Sequence, residues 1–367
     1  MHHILGNECA SDAKCAQLFL PFDPCFDVEF TQQSTSENGS PQTMQHLRSS
    51  DDEFRGRATR TEWPSVAIGV LILTLFVALT AEHRHLPTAV VVGGFAWTSA
   101  WWSSFQHELL HGHPFRNQRL NDAIGRITFD LWLPYTLYKA SHLKHHRNEL
   151  LTDPFEDPES YYRPTSQWSG STRLFRIFLW INRTLLGRLF LGPWLSVARF
   201  LRVESGRVGR GDEDARMVWV AHVAAVAGTG LWVVGVCRVP TWQYLLGASW
   251  LATSLILLRS FVEHRWLPDG SSRTAVVLAE WPLALLYLNN NLHHAHHARP
   301  SVPWYELPRL AASLDSAEVA SASAGCYRGY REVARRFLVR PFCVPVHPSE
   351  PLGHSMIVRR VTSTSDS

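Results

Sequence analysis

The chain has 367 residues, 46% of them hydrophobic, and a formal net charge of +3. That length holds one large or two ordinary domains, and a mean hydropathy of -0.10 argues against a protein made of membrane spans alone. The 35 basic residues are arginine except for Lys14, Lys139 and Lys144, a bias that fits a GC-rich genome and gives no nucleic-acid footprint. Cys9, Cys15, Cys25, Cys237, Cys326 and Cys343 form no CxxC pair, so neither a disulfide framework nor a zinc ribbon is indicated.

Residues 1–60 are polar, lack apolar periodicity and carry no basic-then-apolar leader. We expect a disordered extension there, with Met44 as a second possible start of translation. From Trp63 to Thr80 no charge interrupts the apolar run, and about 18–20 such residues cross a bilayer core. A second span is expected over Ala89–Phe105, with Trp97, Trp101 and Trp102 crowded at its far end as interfacial aromatics. A third is expected over Met217–Cys237 and a fourth over Trp242–Leu258. Segment 153–162, acidic and broken by proline, reads as a solvated loop. Segment 174–194 mixes bulky apolar residues with Arg176, Arg183 and Arg188 and reads as one amphipathic helix lying in the interface. Segment 275–291 is short, contains Glu280 and Pro282, and reads as a partly inserted helix. The expected domains are the extension 1–60, a membrane domain 61–310, and a cytoplasmic helical tail 311–367 with a disordered end.

Histidine clusters follow these spans. His142, His145 and His146 stand at i, i+3 and i+4, and the same spacing returns at His293, His296 and His297. On a helix these offsets share a face. Chance would place roughly 0.05 HxxHH patterns in a chain of this histidine content. His107 and His111 add an HxxxH, and His264 stands alone just past the fourth span. Imidazole clusters spread along a chain in this way assemble first-row transition-metal sites. Each cluster comes after an even number of expected crossings, so all face one side. That side holds Arg173, Arg176, Arg183, Arg188, Arg199, Arg202 and Arg207, against Arg84 and Arg238 on the other. The positive-inside bias makes it cytoplasmic. The expected fold is therefore an all-α membrane protein, four transmembrane helices carrying a cytoplasmic helical cap in a bacterial inner membrane.

HELLH at 107–111 also matches the HExxH of zinc proteases, which makes a membrane zinc hydrolase the competing class. A catalytic zinc uses three protein ligands, whereas about nine histidines converge here. They suit two ions of higher coordination, with Glu108 expected to orient a ligand imidazole.

The boxes HELLH (107–111), HLKHH (142–146) and HHAHH (293–297), with FVEHRW around His264, resemble those of the integral-membrane fatty acid desaturase and hydroxylase superfamily. The flanks HELLHGHP, LPYTLYKASHLKHH, LTDPFEDPES and NNNLHHAHHARP, and the tail YRGYREVARRF, look like a bacterial desaturase subgroup. The resemblance runs from about Trp63 to about His347. It implies that His107, His111, His142, His145, His146, His264, His293, His296 and His297 bind two iron ions. It implies an O2-dependent attack on an unactivated CH2 of a lipid or acyl chain. Loss of a second hydrogen gives an alkene; hydroxyl transfer gives an alcohol. Fatty acyl desaturation is the leading expectation, with a hydroxylase, a ketolase or a desaturase of a small specialised metabolite as alternatives. Gly228 and Gly230 lack the third glycine of a dinucleotide fold and no HPGG haem motif occurs, so a separate ferredoxin- or rubredoxin-type electron donor is implied. His113 and His294 are expected beside the site or incidental to it. One of Asn289, Asn290 and Asn291 is expected to hydrogen-bond near it, and His222 is expected to be a packed histidine inside the third span.

Overall fold

The uncharged run that opens at Trp63 has Pro64 in its first turn, where a missing N–H breaks no helical bond. In the computed structural model, which describes residues 61–147, 150–268 and 272–348, it forms α1 (Trp63–Glu82). The extension 1–60 with Met44, and the expected disordered end, lie outside the described residues. After one tight turn at His83–His85 comes α2 (Thr88–Leu110). Short helices α3 (Gln118–Gly125) and α4 (Tyr135–His146) follow. Next are α5 (Thr165–Ser169), α6 (Arg173–Ile181), α7 (Leu185–Phe190) and α8 (Gly192–Gly209). The second apolar pair is α9 (Glu213–Gly230), continued by a π-helical stretch Leu231–Val236, and α10 (Thr241–Tyr244), which runs through a π-helical stretch Leu245–Leu251 into α11 (Ala252–Ser260). The rest comprises α12 (Leu283–Leu286), α13 (His293–Ala298), α14 (Leu307–Ser313), α15 (Ser316–Ser321) and α16 (Tyr330–Phe337).

Two of these helices, Trp63–His85 and Glu213–Val236, are long and apolar enough to cross a membrane. Their apolar side chains are bare: Val70, Val77, Met217, Val220 and Leu231 all stand exposed. Exposed apolar surface on this scale needs a nonaqueous neighbour. By contrast α2 is the hub. Phe95, Trp102, Phe105 and Leu109 are buried, and Phe76 of α1 stacks on Phe129 with ring centres 3.8 Å apart. Thr98 and Ser104 turn their hydroxyls back onto carbonyls four residues earlier, so they add no unmet polarity. Gly247 lets the π-helical stretch approach α2: a Cβ there would sit 2.5 Å from the Val92 carbonyl and 2.7 Å from Phe95 Cβ.

Two expected elements come out differently. Segment 275–291 is no inserted helix. Val276–Val277 pairs in parallel with Cys326–Tyr327 as the one small sheet among the described residues, and Pro282 then opens the short α12. Segment 174–194 is likewise no single interfacial helix. It breaks after Ile181, Thr184 caps α7 by accepting from Gly187 N–H, and Arg183 and Arg188 turn inward and are buried. Tyr330 and Val333 of α16 join the main core.

Candidate metal centre

The last turn of α2 and its cap present His107 and His111. The last turns of α4 present His142, His145 and His146, and α13 presents His293, His296 and His297. His264, four residues past α11, is held by a bridge to Thr274. These nine rings converge in two groups, each with one nitrogen per residue within 4.8 Å of the others: His107, His111, His142, His146 and His296, and His145, His264, His293 and His297. The division crosses the boxes. In each HxxHH helix the i, i+4 pair stays in one group, while the i+3 residue, turned about 100° on the helix, reaches the other.

The nitrogens stand at ligand spacing. In the first group His142 Nε2 to His146 Nε2 is 3.0 Å and His146 Nε2 to His296 Nε2 is 2.9 Å. In the second, His264 Nε2 lies 3.0 Å from His145 Nε2 and 2.9 Å from His293 Nε2, which is 3.1 Å from His297 Nε2. Two nitrogens bound at about 2.1 Å and at right angles on one ion are about 3.0 Å apart. The residues therefore fit two metal ions with all-nitrogen ligation, the donor type that suits iron, copper or zinc.

The opposite ring nitrogens are tied down by acceptors. His142 Nδ1–H donates to Glu159 Oε1 at 2.9 Å, His145 Nδ1–H to Asp157 Oδ1 at 2.8 Å and His293 Nδ1–H to Asn290 Oδ1 at 3.0 Å. Each bond fixes the tautomer that frees Nε2. Segment 153–162 is thus no solvated loop. Asp157 is buried and also accepts from the backbone N–H groups of Thr152 and Glu159. The signal that could have found these carboxylates is chemical: imidazole ligands need acceptors behind them, and this acidic run follows the second box closely. Burial, then the nearby positive charge of His145, pushes His264 down to about 3; burial, then His142, pushes His146 down to about 2. Burial alone would raise Glu159, but His142 and His145 beside it hold its carboxyl well below the usual range. Neutral imidazoles are what a cation needs; His145 is the exception, for burial would lower it but Glu159 and Asp157 beside it raise it.

The remaining expectations resolve individually. Glu108 does not orient an imidazole: its carboxylate is 3.9 Å from His107 Nδ1 and instead accepts from Trp304 N–H at 3.0 Å. His113 lies outside both groups and pairs its Nδ1 with Glu62 at 2.7 Å, tying the start of α1 to the end of α2. His294 contacts Ser316 Oγ at 2.9 Å. Of the three asparagines, Asn290 touches both groups, with its Nδ2 3.2 Å from His107 Nε2. His222 is buried against Trp219 with Nε2 3.2 Å from the Leu131 carbonyl.

A family model described as fatty acid desaturase matches residues 84–322, well over half of the chain. The chain is also similar to a beta-carotene ketolase of Paracoccus sp. (strain PC1), 26% identical over 64% of this chain and 84% of that one. A zeaxanthin 4-ketolase of Chlamydomonas reinhardtii is 22% identical over 69% of this chain and 54% of its own length.

Proposed function

The chain belongs to the fatty acid desaturase family and is an oxidoreductase, and on that footing we propose that it oxidises an unactivated CH2 in a long hydrophobic molecule, using O2 and two bound irons. The observation that carries this reading is the pair of buried all-histidine groups with nitrogens 2.9–3.1 Å apart. We assign His107, His111, His142, His146 and His296 to one ion and His145, His264, His293 and His297 to the other. Bound iron would supply the activation of O2 and the two-electron oxidation. The protein's part is to hold nine imidazoles in place, three of them through Glu159, Asp157 and Asn290, and to bring the chain of the substrate into register with them. We place the site on the cytoplasmic side of a four-span membrane domain in the inner membrane. Electrons would come from a separate ferredoxin- or rubredoxin-type protein.

Family membership and the engagement of Glu108 with the Trp304 backbone remove support from a zinc protease. Two product readings follow from one ligand set. The flanking motifs favour fatty acyl desaturation; the two ketolase relatives favour oxygen insertion into a carotenoid-like ring. Expression in one host with a simple fatty acid profile and in another that accumulates β-carotene, followed by mass spectrometry, separates them. Desaturation appears as loss of two hydrogens from an acyl chain, and ketolation as gain of oxygen by the pigment. An unchanged profile in both hosts, from protein carrying iron and supplied with a donor, would sink the reading.

A further inference from the structure

Residues 126–134, between α3 and α4, form neither helix nor strand, yet their backbone is held by side chains of the long apolar helices. Ile127 C=O accepts from Trp102 Nε1–H of α2 at 2.7 Å. Thr128 C=O accepts from the Thr229 hydroxyl of α9 at 2.8 Å, and Phe129 C=O from the Tyr244 hydroxyl of α10. His222 Nε2, also on α9, is 3.2 Å from the Leu131 carbonyl. On the return, Trp132 donates its Nε1–H to Thr253 Oγ1 at 3.2 Å, and its backbone N–H goes to Asp130 Oδ1 at 2.8 Å. The Phe129 ring stacks on Phe76 of α1.

Those partners measure how deep the segment goes. In the arrangement proposed above, α1 and α9 both start on the cytoplasmic side. At 1.5 Å per residue, Phe76 lies about 20 Å along α1 from Trp63, and Thr229 about 24 Å along α9 from Glu213. His222 lies only about 14 Å along α9. Thr128 and Phe129 are therefore past the middle of a hydrocarbon layer about 30 Å thick, and Leu131 is already on the way back. Irregular backbone at that depth is tolerated only where protein satisfies its polar groups, which is what Trp102, Thr229, Tyr244 and His222 do. A loop on the aqueous cap could leave the same carbonyls to water.

We propose that residues 126–134 re-enter the bilayer from the cytoplasmic side as a hairpin, with Thr128 and Phe129 at its tip. Pro134, where the hairpin ends, is the cap residue of α4. The helix that carries His142, His145 and His146 is thus anchored in the membrane rather than standing on the cap. The proposal rests on the four-span arrangement and is independent of the reaction performed.

The test is labelling of single introduced cysteines with an impermeant maleimide, in inverted and in right-side-out inner-membrane vesicles, read by mass spectrometry at the residue itself. Ile127 is 41% exposed, so protein does not shield a thiol there and only lipid can. Ile127→Cys is expected to stay unlabelled in both orientations and to react once the protein is unfolded in SDS. Lys144→Cys is expected to react only in inverted vesicles, and Arg84→Cys only in right-side-out ones. Labelling of Ile127→Cys in either orientation, with those two still on opposite sides, overturns the hairpin and leaves the four spans standing. Labelling of Arg84→Cys and Lys144→Cys from one side removes the spans, and the hairpin with them. A bimane attached at Ile127→Cys gives a second readout after reconstitution. Stronger quenching by a nitroxide near the end of the acyl chain than by one on the headgroup is expected; the reverse order overturns the proposal. Should Ile127→Cys fail to fold, half-buried Leu131 on the returning limb takes its place in both measurements.

Discussion

Asp157 and Glu159 do not touch the proposed ions, yet they hold two of the imidazoles that would. Carboxylates behind ligand histidines are worth about 10- to 100-fold in metal affinity or activity. Asp157→Asn and Glu159→Gln are therefore expected to fold and to lower iron content and turnover by that order, as measured by metal analysis and product formation on the same samples. Full iron loading in both variants would assign the loop a packing role only. A second comparison separates histidines. His264→Ala is expected to lose iron and activity, because its Nε2 stands within 3.0 Å of two others in its group. His222→Ala is expected to lose expression level but keep its rate per molecule; iron and product retained in His264→Ala would remove it from the ligand set. Eight of the nine histidines were legible because helical spacing shows in the sequence as a regular period; His264, alone in sequence, was singled out by its place after the fourth expected span and by the family resemblance. Their division between two groups was not, since it depends on how α4 and α13 face each other. Nor was the role of Asp157, because the order DPFEDPES reads like a surface turn until its backbone bonds are known.

At the scale of elements, the long apolar helices were read within about five residues of their ends, while the connections were not. Uninterrupted apolar runs set α1 and α9; the inward turn of Arg183 and Arg188 depends on a tertiary cavity that no local pattern encodes. The approach of the π-helical stretch to α2 is equally invisible in sequence, for Gly247 looks like any glycine in an apolar segment. Its neighbours are a backbone carbonyl and a Cβ, neither of which can swing aside, and small residues are what permit such approach between membrane helices. Gly247→Ala should accordingly destabilise the protein by about 1–3 kcal/mol. The check is the unfolding midpoint beside Gly228→Ala, where a Cβ meets nothing within 4 Å and little change is expected. Equal midpoints for the two variants would mean that α2 and the π-helical stretch separate at little cost.

The whole molecule should answer to pH through its cap. Burial, with neighbouring positive charge, holds His146 at about 2 and His264 at about 3, and lowers His293, His296 and His297. An unfolded histidine titrates near 6.5, so between about 3 and 6.5 the unfolded chain binds protons that these folded groups refuse. Stability then falls as pH drops through that window. Glu159, lowered in the fold, adds stability above its unfolded value near 4.5 that is lost on further acidification. Glu263, which burial raises to about 7 against the pull of Arg259, works in the opposite direction. So do Glu108 and Asp130, raised by burial to about 7, and His145 and His113, raised against burial by the carboxylates beside them. The lowered groups, which include His107, His111 and His142, outnumber them. In chelator-treated protein the unfolding midpoint is expected to fall from pH 7 to pH 5; a midpoint that is flat or rises would mean that the imidazoles are solvated in the metal-free protein.

The four-span arrangement we propose rests on connectivity as much as on hydropathy. Trp63–His85 and Glu213–Val236 are long and apolar enough to cross a bilayer. Were they the sole crossings, residues 88–212 would lie on one side and the chain after Val236 on the other. His145 and His146 would then be separated by a membrane from His264 and His296, yet their nitrogens are 3.0 and 2.9 Å apart. These contacts are compatible with a crossing at α9 only if the chain returns through Thr241–Ser260; a crossing at α1 needs a return through α2, because Glu62 before α1 pairs with His113 after α2 at 2.7 Å. Both return segments are helical and exceed 17 residues, the lower limit for a span of about 17–25. Single cysteines placed at Arg84 and Arg238, in the two tight links, are therefore expected to react with an impermeant reagent in intact cells with the outer membrane opened. A cysteine at Lys144 or Arg299, next to the boxes, is expected to react only after the inner membrane is breached. Labelling of Arg84→Cys and Lys144→Cys from the same side would remove the first hairpin from the membrane, and full reversal of the pattern would place the histidine groups outside.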